Sequence, residues 1–378
     1  MVHFVIVGAL PQSLTNFRGE LISDICSLGH RVTAISAPAS EEEIAAIGAL
    51  GAQFHPIPLE RNSLNPRSDL NSLMALRRAY RTLAPDVVLA YTIKPVIWSG
   101  LALRSSRSQA RFFSLVTGLG YAFEGEGMKR RGLRAIVTAL YRQALKRADA
   151  VIFQNADNRD VFVSRRIVSL QKCRIVNGSG VDTERFAVAP MPQDGTHFLL
   201  IARLLGEKGV REYAAAARDV RARHPSATFH LVGPPDSSPD GIPLTEVRGW
   251  HDGGVLVYHG AATDVRPFIA GCNVNVLPSY HEGMPRSVLE AMAMGRPILT
   301  TDVPGCRETV VPGQNGWLVP RGDARSLAER MEWFITHRQQ WSAMGSASRD
   351  IAVQRFDVHA IVAEMMRIMS IEGAKSSH

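Results

Sequence analysis

Hydrophobic and polar positions along this chain alternate between two periods. Short apolar runs, the length of a buried strand, give way to stretches in which apolar residues recur every three or four positions, the spacing of a helix packed on one side. Residues 3–7 are the first such run and stop at Gly8. Phe17, Leu21, Ile25 and Leu28 then share one helical face, Gly29 closes the helix, and residues 31–36 make the next strand, a βαβ unit. The pattern continues with a helix over 41–50 stopped by Gly51, a strand over 53–57 and a helix over 69–83 stopped before Pro85. A strand over 86–90 runs into Tyr91-Thr92-Ile93-Lys94-Pro95, and further strands fall at 150–153 and 174–176. Residues 188–196, with Pro190, Pro192 and Gly195, have the composition of a linker. The alternation then restarts with strands at 198–202, 227–232, 255–258, 273–277 and 297–301, and helices from Val210, at 264–269, at 323–335 and at 357–371.

Strands alternating with helices predict an α/β chain of parallel sheets. At 378 residues the chain exceeds what one core supports, so two domains are expected: 1–187, the linker 188–196, and 197–355, followed by a last helical segment, 356–378.

The most informative stretch follows the strand over 273–277 and runs from His281 to Pro297, His-Glu-Gly-Met-Pro-Arg-Ser-Val-Leu-Glu-Ala-Met-Ala-Met-Gly-Arg-Pro. Pro285 suits a first helical turn, Val288, Leu289, Met292 and Ala293 fall on one face, and Gly295 with Pro297 ends the helix. Glu282 therefore sits in a strand-to-helix loop. Glu290 lies within the helix, about 7 to 8 Å beyond Pro285 at about 1.5 Å per residue. Amides at the helix start, around Gly283, Met284 and Pro285, would hold a diphosphate, with Glu282 accepting from sugar hydroxyls and Glu290 from a ribose diol. The plain alternative is an acid near a helix start and a surface glutamate.

A second loop, Arg203-Leu204-Leu205-Gly206-Glu207-Lys208-Gly209, follows the strand over 198–202. Arg203 can grip phosphate oxygens bidentately and Lys208 adds a point charge.

Two glutamates separated by seven residues, preceded by an Arg…Lys-Gly loop, resemble the donor site of the retaining, metal-independent glycosyltransferases of the two-Rossmann-domain (GT-B) type, family 4. Val303-Pro304-Gly305-Cys306-Arg307-Glu308-Thr309 and Gly313-Gln314-Asn315-Gly316-Trp317-Leu318-Val319-Pro320 are similar to that family too. The resemblance implies two Rossmann-like domains facing a central cleft, the first binding the acceptor and the second the nucleotide sugar, with the last helix crossing back to the first domain. It implies Glu282, Arg203 and Lys208 as catalytic residues. Glu290, Gly283, Met284 and Pro285 join Arg203, Lys208 and Gly8 in holding the donor. A nucleotide sugar is the co-substrate, UDP being the first expectation with GDP and ADP left open, and no metal or other cofactor is implied.

Thr92-Ile93-Lys94-Pro95 and Ser114–Phe123 resemble the branch that extends polyprenyl-diphosphate-linked sugars in polysaccharide, O-antigen and glycan assembly. That resemblance implies transfer of a hexose or N-acetylhexosamine to such an acceptor, with Lys94 near its diphosphate. A surface lysine before a helix-starting proline is the plain alternative.

Residues 128–148 read as a basic amphipathic helix, with Arg131, Arg134, Thr138, Arg142 and Lys146 on one face and Leu133, Ile136, Val137, Leu140 and Leu145 on another. Tyr121 and Phe123 precede it as candidate interfacial anchors. Either the basic face meets anionic headgroups, or the apolar face packs inward and the charges are simply wet.

Charge agrees with a surface partner for the first half. Of the net +8, residues 1–190 contribute 24 Lys and Arg against 15 Asp and Glu, while the rest holds 19 against 20. Neither zinc-finger spacing, an aromatic RNA-binding signature nor a basic zipper occurs, so an anionic membrane is the expected partner rather than nucleic acid. No apolar run approaches the roughly 18 to 20 residues of a membrane span, and the first strand starts without a basic leader, so the expected location is cytoplasmic, peripheral on the inner face of the membrane. Cys26, Cys173, Cys272 and Cys306 are scattered, without metal-ligand spacing, and read as reduced packing residues. No D-x-D occurs, and Gly118-Leu119-Gly120 lacks the third glycine of a dinucleotide fingerprint. The rivals are an epimerase or phosphorylase on the same architecture, a transferase to a soluble acceptor, and a basic scaffold or nucleic-acid-binding protein.

Overall fold

The structure is a computed structural model describing residues 1–60, 65–119, 123 and 128–372. Its chain divides into two compact units, Met1–Ser179 with His359–His378, and Gly180–Val358.

The first unit runs β1 (His3–Val7), α1 (Pro11–Ser27), β2 (Arg31–Ser36), α2 (Glu41–Ala49), β3 (Gln53–Pro56), α3 (Pro66–Leu83), β4 (Val87–Tyr91), α4 (Ile93–Ser106), β5 (Arg111–Val116), α5 (Met128–Ala144), β6 (Ala150–Phe153), α6 (Ala156–Ser164) and β7 (Cys173–Ile175). The second runs β8 (Thr196–Ile201), α7 (Val210–Arg223), β9 (Ala227–Val232), α8 (Leu244–Asp252), β10 (Val257–Tyr258), α9 (Arg266–Ala270), β11 (Val274–Leu277), α10 (Arg286–Ala293), β12 (Ile298–Thr301), β13 (Gly316–Val319), α11 (Ala324–Thr336) and α12 (Trp341–Phe356). Helix α13 (Val358–Met369) follows, and from His359 on it belongs to the first unit.

Both sheets are parallel throughout, ordered β3-β2-β1-β4-β5-β6-β7 and β10-β9-β8-β11-β12-β13. The central strands carry continuous apolar runs because helices cover both faces: all five residues of β1 and of β4 are buried. In each sheet the order reverses once, between β1 and β4 and between β8 and β11, and the crevice at the carboxyl ends of such a pair is where open α/β sheets bind ligands.

Several expectations shift in detail. Phe17 is exposed; the buried stripe of α1 is Leu14, Arg18, Leu21, Ile22 and Ile25, with the Arg18 guanidinium 5.2 Å above the Tyr91 ring. A cation over a ring face lets arginine occupy a position expected of an apolar residue. Strand β5, helices α6 and α8 and strand β13 have no counterpart in the sequence pattern. The proline-rich segment expected as the linker belongs to the second unit. Arg296, fully buried, donates to the carbonyls of Ala189 and Pro190 there, and also to Ile269 and Ala270, at 2.8 to 3.1 Å. The chain passes between units instead at Ser179 and Val358, where Val181 and Asp357 pair as a parallel bridge. Gly180 has φ +77 there, and a Cβ on it would lie 2.6 Å from the Val358 Cα. No helix among the described residues is long and apolar enough to cross a membrane.

Candidate active site

The reversal between β8 and β11 brings together the two loops singled out in the sequence. After β8, Leu204 and Leu205 bridge to Pro235 and Gly241, a 3-10 turn spans Gly206–Lys208, and Gly209, at φ +69, leads into α7. A Cβ on Gly209 would lie 2.0 Å from the Pro278 carbonyl oxygen, so the two loops close on each other only because that residue is glycine. After β11 comes the second loop, through Glu282 to Pro285, and then α10, whose N-cap residue, Pro285, makes no side-chain capping bond.

Lys208 Nζ donates to Glu282 Oε1 at 2.7 Å, both side chains being 15% exposed. Burial pulls the Lys208 pKa down, but the charge of Glu282 and its hydrogen bond outweigh that, and the net shift is upward. Lys208 is therefore held as a cation. Arg203 lies close enough for its charge to oppose this, and its Nη1 pairs with Asp236 Oδ2 from the loop after β9. The Glu282 amide donates to the Pro304 carbonyl at 3.0 Å, and Gly305, at φ +84, lies so close that a Cβ would sit 2.5 Å from the Glu282 carbonyl oxygen. The Val303-Pro304-Gly305 motif thus supports the backbone of Glu282.

Within α10, Val288, Leu289, Met292 and Ala293 are buried as the spacing requires, and Gly295 at φ +76 ends the helix. Glu290 is only 8% exposed, and Arg286 Nε donates to its Oε1 at 2.8 Å. Burial raises the Glu290 pKa, and the Arg286 charge and hydrogen bond pull the other way.

The remaining site residues lie in the first unit. Gly8 ends β1 at that sheet's own reversal, and a Cβ on it would lie 2.2 Å from the Tyr91 hydroxyl oxygen. Tyr91 is buried, shares a 2.7 Å hydrogen bond with Ser13, and has its pKa pushed by burial up to about 12. Across the reversal, Thr92 takes φ +67 and ψ 164, a region essentially reserved for glycine, and its hydroxyl is buried without a hydrogen-bond partner among the described residues. Lys94 stands in the first turn of α4 with Nζ 2.8 Å from Asp69 Oδ1. Tyr121 lies outside the described residues. Phe123 packs toward the core of its unit, stacked 6.0 Å from Phe162, with the Arg165 guanidinium 5.8 Å from its ring centre. Helix α5 turns differently from its helical wheel: Thr138 and Tyr141 are buried and Ile136 is exposed. Arg131 is exposed and Arg134 half-buried, whereas Arg142 donates to the carbonyls of Arg165 and Arg166 at 2.6 and 3.2 Å. All four cysteines are free thiols.

Residues 195–337 match the family described as Glycosyl transferases group 1, and residues 15–176 match the Glycosyl transferase 4-like domain. The chain belongs to the group 1 glycosyltransferases. It is 28% identical over 299 residues to the N,N'-diacetylbacillosaminyl-diphospho-undecaprenol alpha-1,3-N-acetylgalactosaminyltransferase of Campylobacter jejuni, covering 76% of this chain and 77% of that one. It is 22% identical over 320 residues to the UDP-Gal:alpha-D-GlcNAc-diphosphoundecaprenol alpha-1,3-galactosyltransferase of Escherichia coli, covering 80% and 79%. The crystal structure of Anabaena HepE in complex with UDP and glucose matches with a TM-score of 0.77 at 17% identity, over 98% of this chain and 100% of that one. That likeness establishes the GT-B fold.

Three residues of this candidate site escaped the sequence reading. Arg286 had a signal, since it stands four residues before Glu290, the spacing of a helical ion pair. Asp236 and Tyr280 had none: what places them is the docking of the loops after β9 and β11 on the loop after β8.

Proposed function

We propose that this glycosyltransferase moves a hexose or N-acetylhexosamine from a UDP-sugar, with retention at the anomeric carbon and without a metal ion, to a polyprenyl-diphosphate-linked sugar. The observation that carries the donor side is the Lys208–Glu282 pair, 2.7 Å apart at the reversal point of the second sheet, beside the start of α10. As the C1–O bond to the diphosphate breaks and a bond from an acceptor hydroxyl forms, negative charge gathers on the leaving UDP, whose freed oxygen takes up the hydroxyl proton. Lys208, Arg203 and the α10 amides supply the positive field that charge requires, so the chain itself provides what a metal would. Glu282 orients the donor hydroxyls and lies where positive charge develops on the sugar; Glu290 grips the ribose diol once Arg286 yields it.

Names of the relatives support the choice of UDP and of a lipid-linked acceptor. On the first unit, Lys94, in the first turn of α4 after β4, supplies a cation for the acceptor diphosphate. The basic excess of residues 1–190 suits an anionic membrane surface and supports a peripheral position on the inner face of the cytoplasmic membrane.

The test is the melting temperature of the pure protein against UDP, GDP and ADP, each with and without EDTA. A ligand at 100 times its Kd adds about 2.7 kcal/mol of stability. The proposal expects a shift with UDP that EDTA leaves intact; a shift abolished by EDTA removes metal independence, and no shift with any nucleotide overturns the reading of the Lys208–Glu282 pair as a nucleotide-sugar site.

A further inference from the structure

We infer that Tyr280 and Glu212 form a staple that sets the position of Lys208 opposite Glu282, a role that rests on the reading of that pair as the donor site. Tyr280 stands two residues before Glu282 and grips the other loop on both sides of Lys208. On the near side its amide donates to the Glu207 carbonyl at 2.8 Å, joined by the Ser279 hydroxyl at 3.2 Å. On the far side its hydroxyl donates to Glu212 Oε1 at 2.8 Å, in the first turn of α7. The loop after β13 closes over the ring: the Arg321 guanidinium lies 5.6 Å from its centre, and a Cβ on Gly322 would lie 3.3 Å from the hydroxyl oxygen. One side chain thereby ties together the loops after β8, β11 and β13.

The balance of partners makes the hydroxyl consequential. Glu212 Oε2 is buried and has no hydrogen-bond partner among the described residues, so the Tyr280 hydroxyl is the partner this carboxylate has there. Removing it leaves a carboxylate with neither oxygen paired, which is costly and drives the first turn of α7 to rearrange. Lys208 precedes α7 by one residue, so that rearrangement reaches the catalytic cation directly. Burial, followed by the Glu212 hydrogen bond, pushes the Tyr280 pKa up to about 12, so the hydroxyl stays a donor at neutral pH.

Because the staple acts through Lys208 and Glu282 and touches no substrate, these are positioning residues. Tyr280→Phe is expected to lower kcat about 10- to 100-fold, the effect of a misplacement near 1 Å. Turnover is read with UDP-N-acetylgalactosamine and a synthetic polyprenyl-diphosphate-linked N-acetylhexosamine. The Kd for UDP, read by calorimetry, should stay within about twofold. Glu212→Gln keeps an acceptor for the hydroxyl and should retain most of the kcat, whereas Glu212→Ala removes that acceptor, should lower kcat as Tyr280→Phe does, and serves as the second variant if Tyr280→Phe folds poorly. Unchanged kcat in Tyr280→Phe overturns the inference. So does a loss of kcat, UDP affinity and melting temperature in step, which would mean structural damage only. A crystal structure of Tyr280→Phe without ligand judges the staple independently of substrate: the inference expects Lys208 Nζ to leave hydrogen-bond reach of Glu282, and persistence of the 2.7 Å contact counts against it. Failure of the wild type itself to bind UDP falls on the donor-site reading, while the crystallographic distance still decides the staple.

Discussion

Each charged residue of the proposed donor site has a partner: Lys208 with Glu282, Arg203 with Asp236, Arg286 with Glu290. A site of paired charges arranged in advance needs little reorganisation when a diphosphate arrives, since ligand oxygens replace protein carboxylates around the same cations. The three pairs should therefore fail differently. Glu290→Ala removes a ribose acceptor, and donor KM should rise about tenfold with kcat little changed, because binding to ground and transition states falls together. Arg203→Ala removes positive charge where the leaving diphosphate gathers negative charge, and kcat should fall about 100-fold. Steady-state kinetics against donor concentration separates the two; equal effects on KM and kcat in both variants would end this division of roles.

Strands and helices whose residues repeat clearly are readable from sequence, and those whose order comes from neighbours are not. Helix α8 buries only Val247, and α6 only Asn158 and Phe162, so neither carries a stripe long enough to recognise. Strand β13 exists because β12 offers it a parallel edge, with Gly316 lying where a Cβ would be 1.8 Å from the Ile298 carbonyl oxygen. The β8–β10 edge adds a polar ladder that periodicity does not announce. His197 meets Thr228 at 2.6 Å, Thr228 meets His230 at 3.1 Å, and His230 meets His259 at 3.0 Å, with Asp194 at the outer end of His197. Burial, then the neighbouring charges of His259 and His197, lowers the His230 pKa from 6.5 to about 4. The unfolded chain takes up a proton near pH 6.5 that the folded ring refuses until about pH 4, so stability falls as pH drops through that window. His230→Phe should flatten this part of the pH profile, by roughly 2 kcal/mol between pH 7 and pH 4 in denaturant titrations. Identical profiles for wild type and variant would show that the ring does not stay neutral.

At the scale of the whole molecule, charge and fold divide between the units. The basic excess lies in residues 1–190 and the motifs proposed to hold the nucleotide in the second unit. Helix α5 shows how the two readings of its charges combine. Thr138, Tyr141 and Leu145 pack inward, and Arg142 caps the chain end after α6, leaving Arg131 exposed near its start. Reversing Arg131 and Arg134 to Glu, with Arg142 kept, should weaken sedimentation with phosphatidylglycerol vesicles by about 30-fold or more, at about 1 kcal/mol for each basic residue near the surface. Binding to neutral vesicles should not change. Equal sedimentation of variant and wild type with the anionic vesicles would leave those charges as solvent-facing only.

The sequence by itself determined the α/β class, the presence of two units and the two loops that meet at the reversal of the second sheet, because these follow from local period, turn chemistry and residues close together in the chain. Pro285, Gly295 and the Glu282 to Glu290 spacing are written within a single segment. Only the tertiary structure decided where the units part, at Ser179 rather than in the proline-rich segment that Arg296 holds to the second unit. It alone decided the partners of Arg203, Glu212 and Tyr280, and the inward packing of Thr138 and Phe123. Such contacts join loops far apart in sequence, and their energy exists only once parallel strands have brought the loop ends side by side.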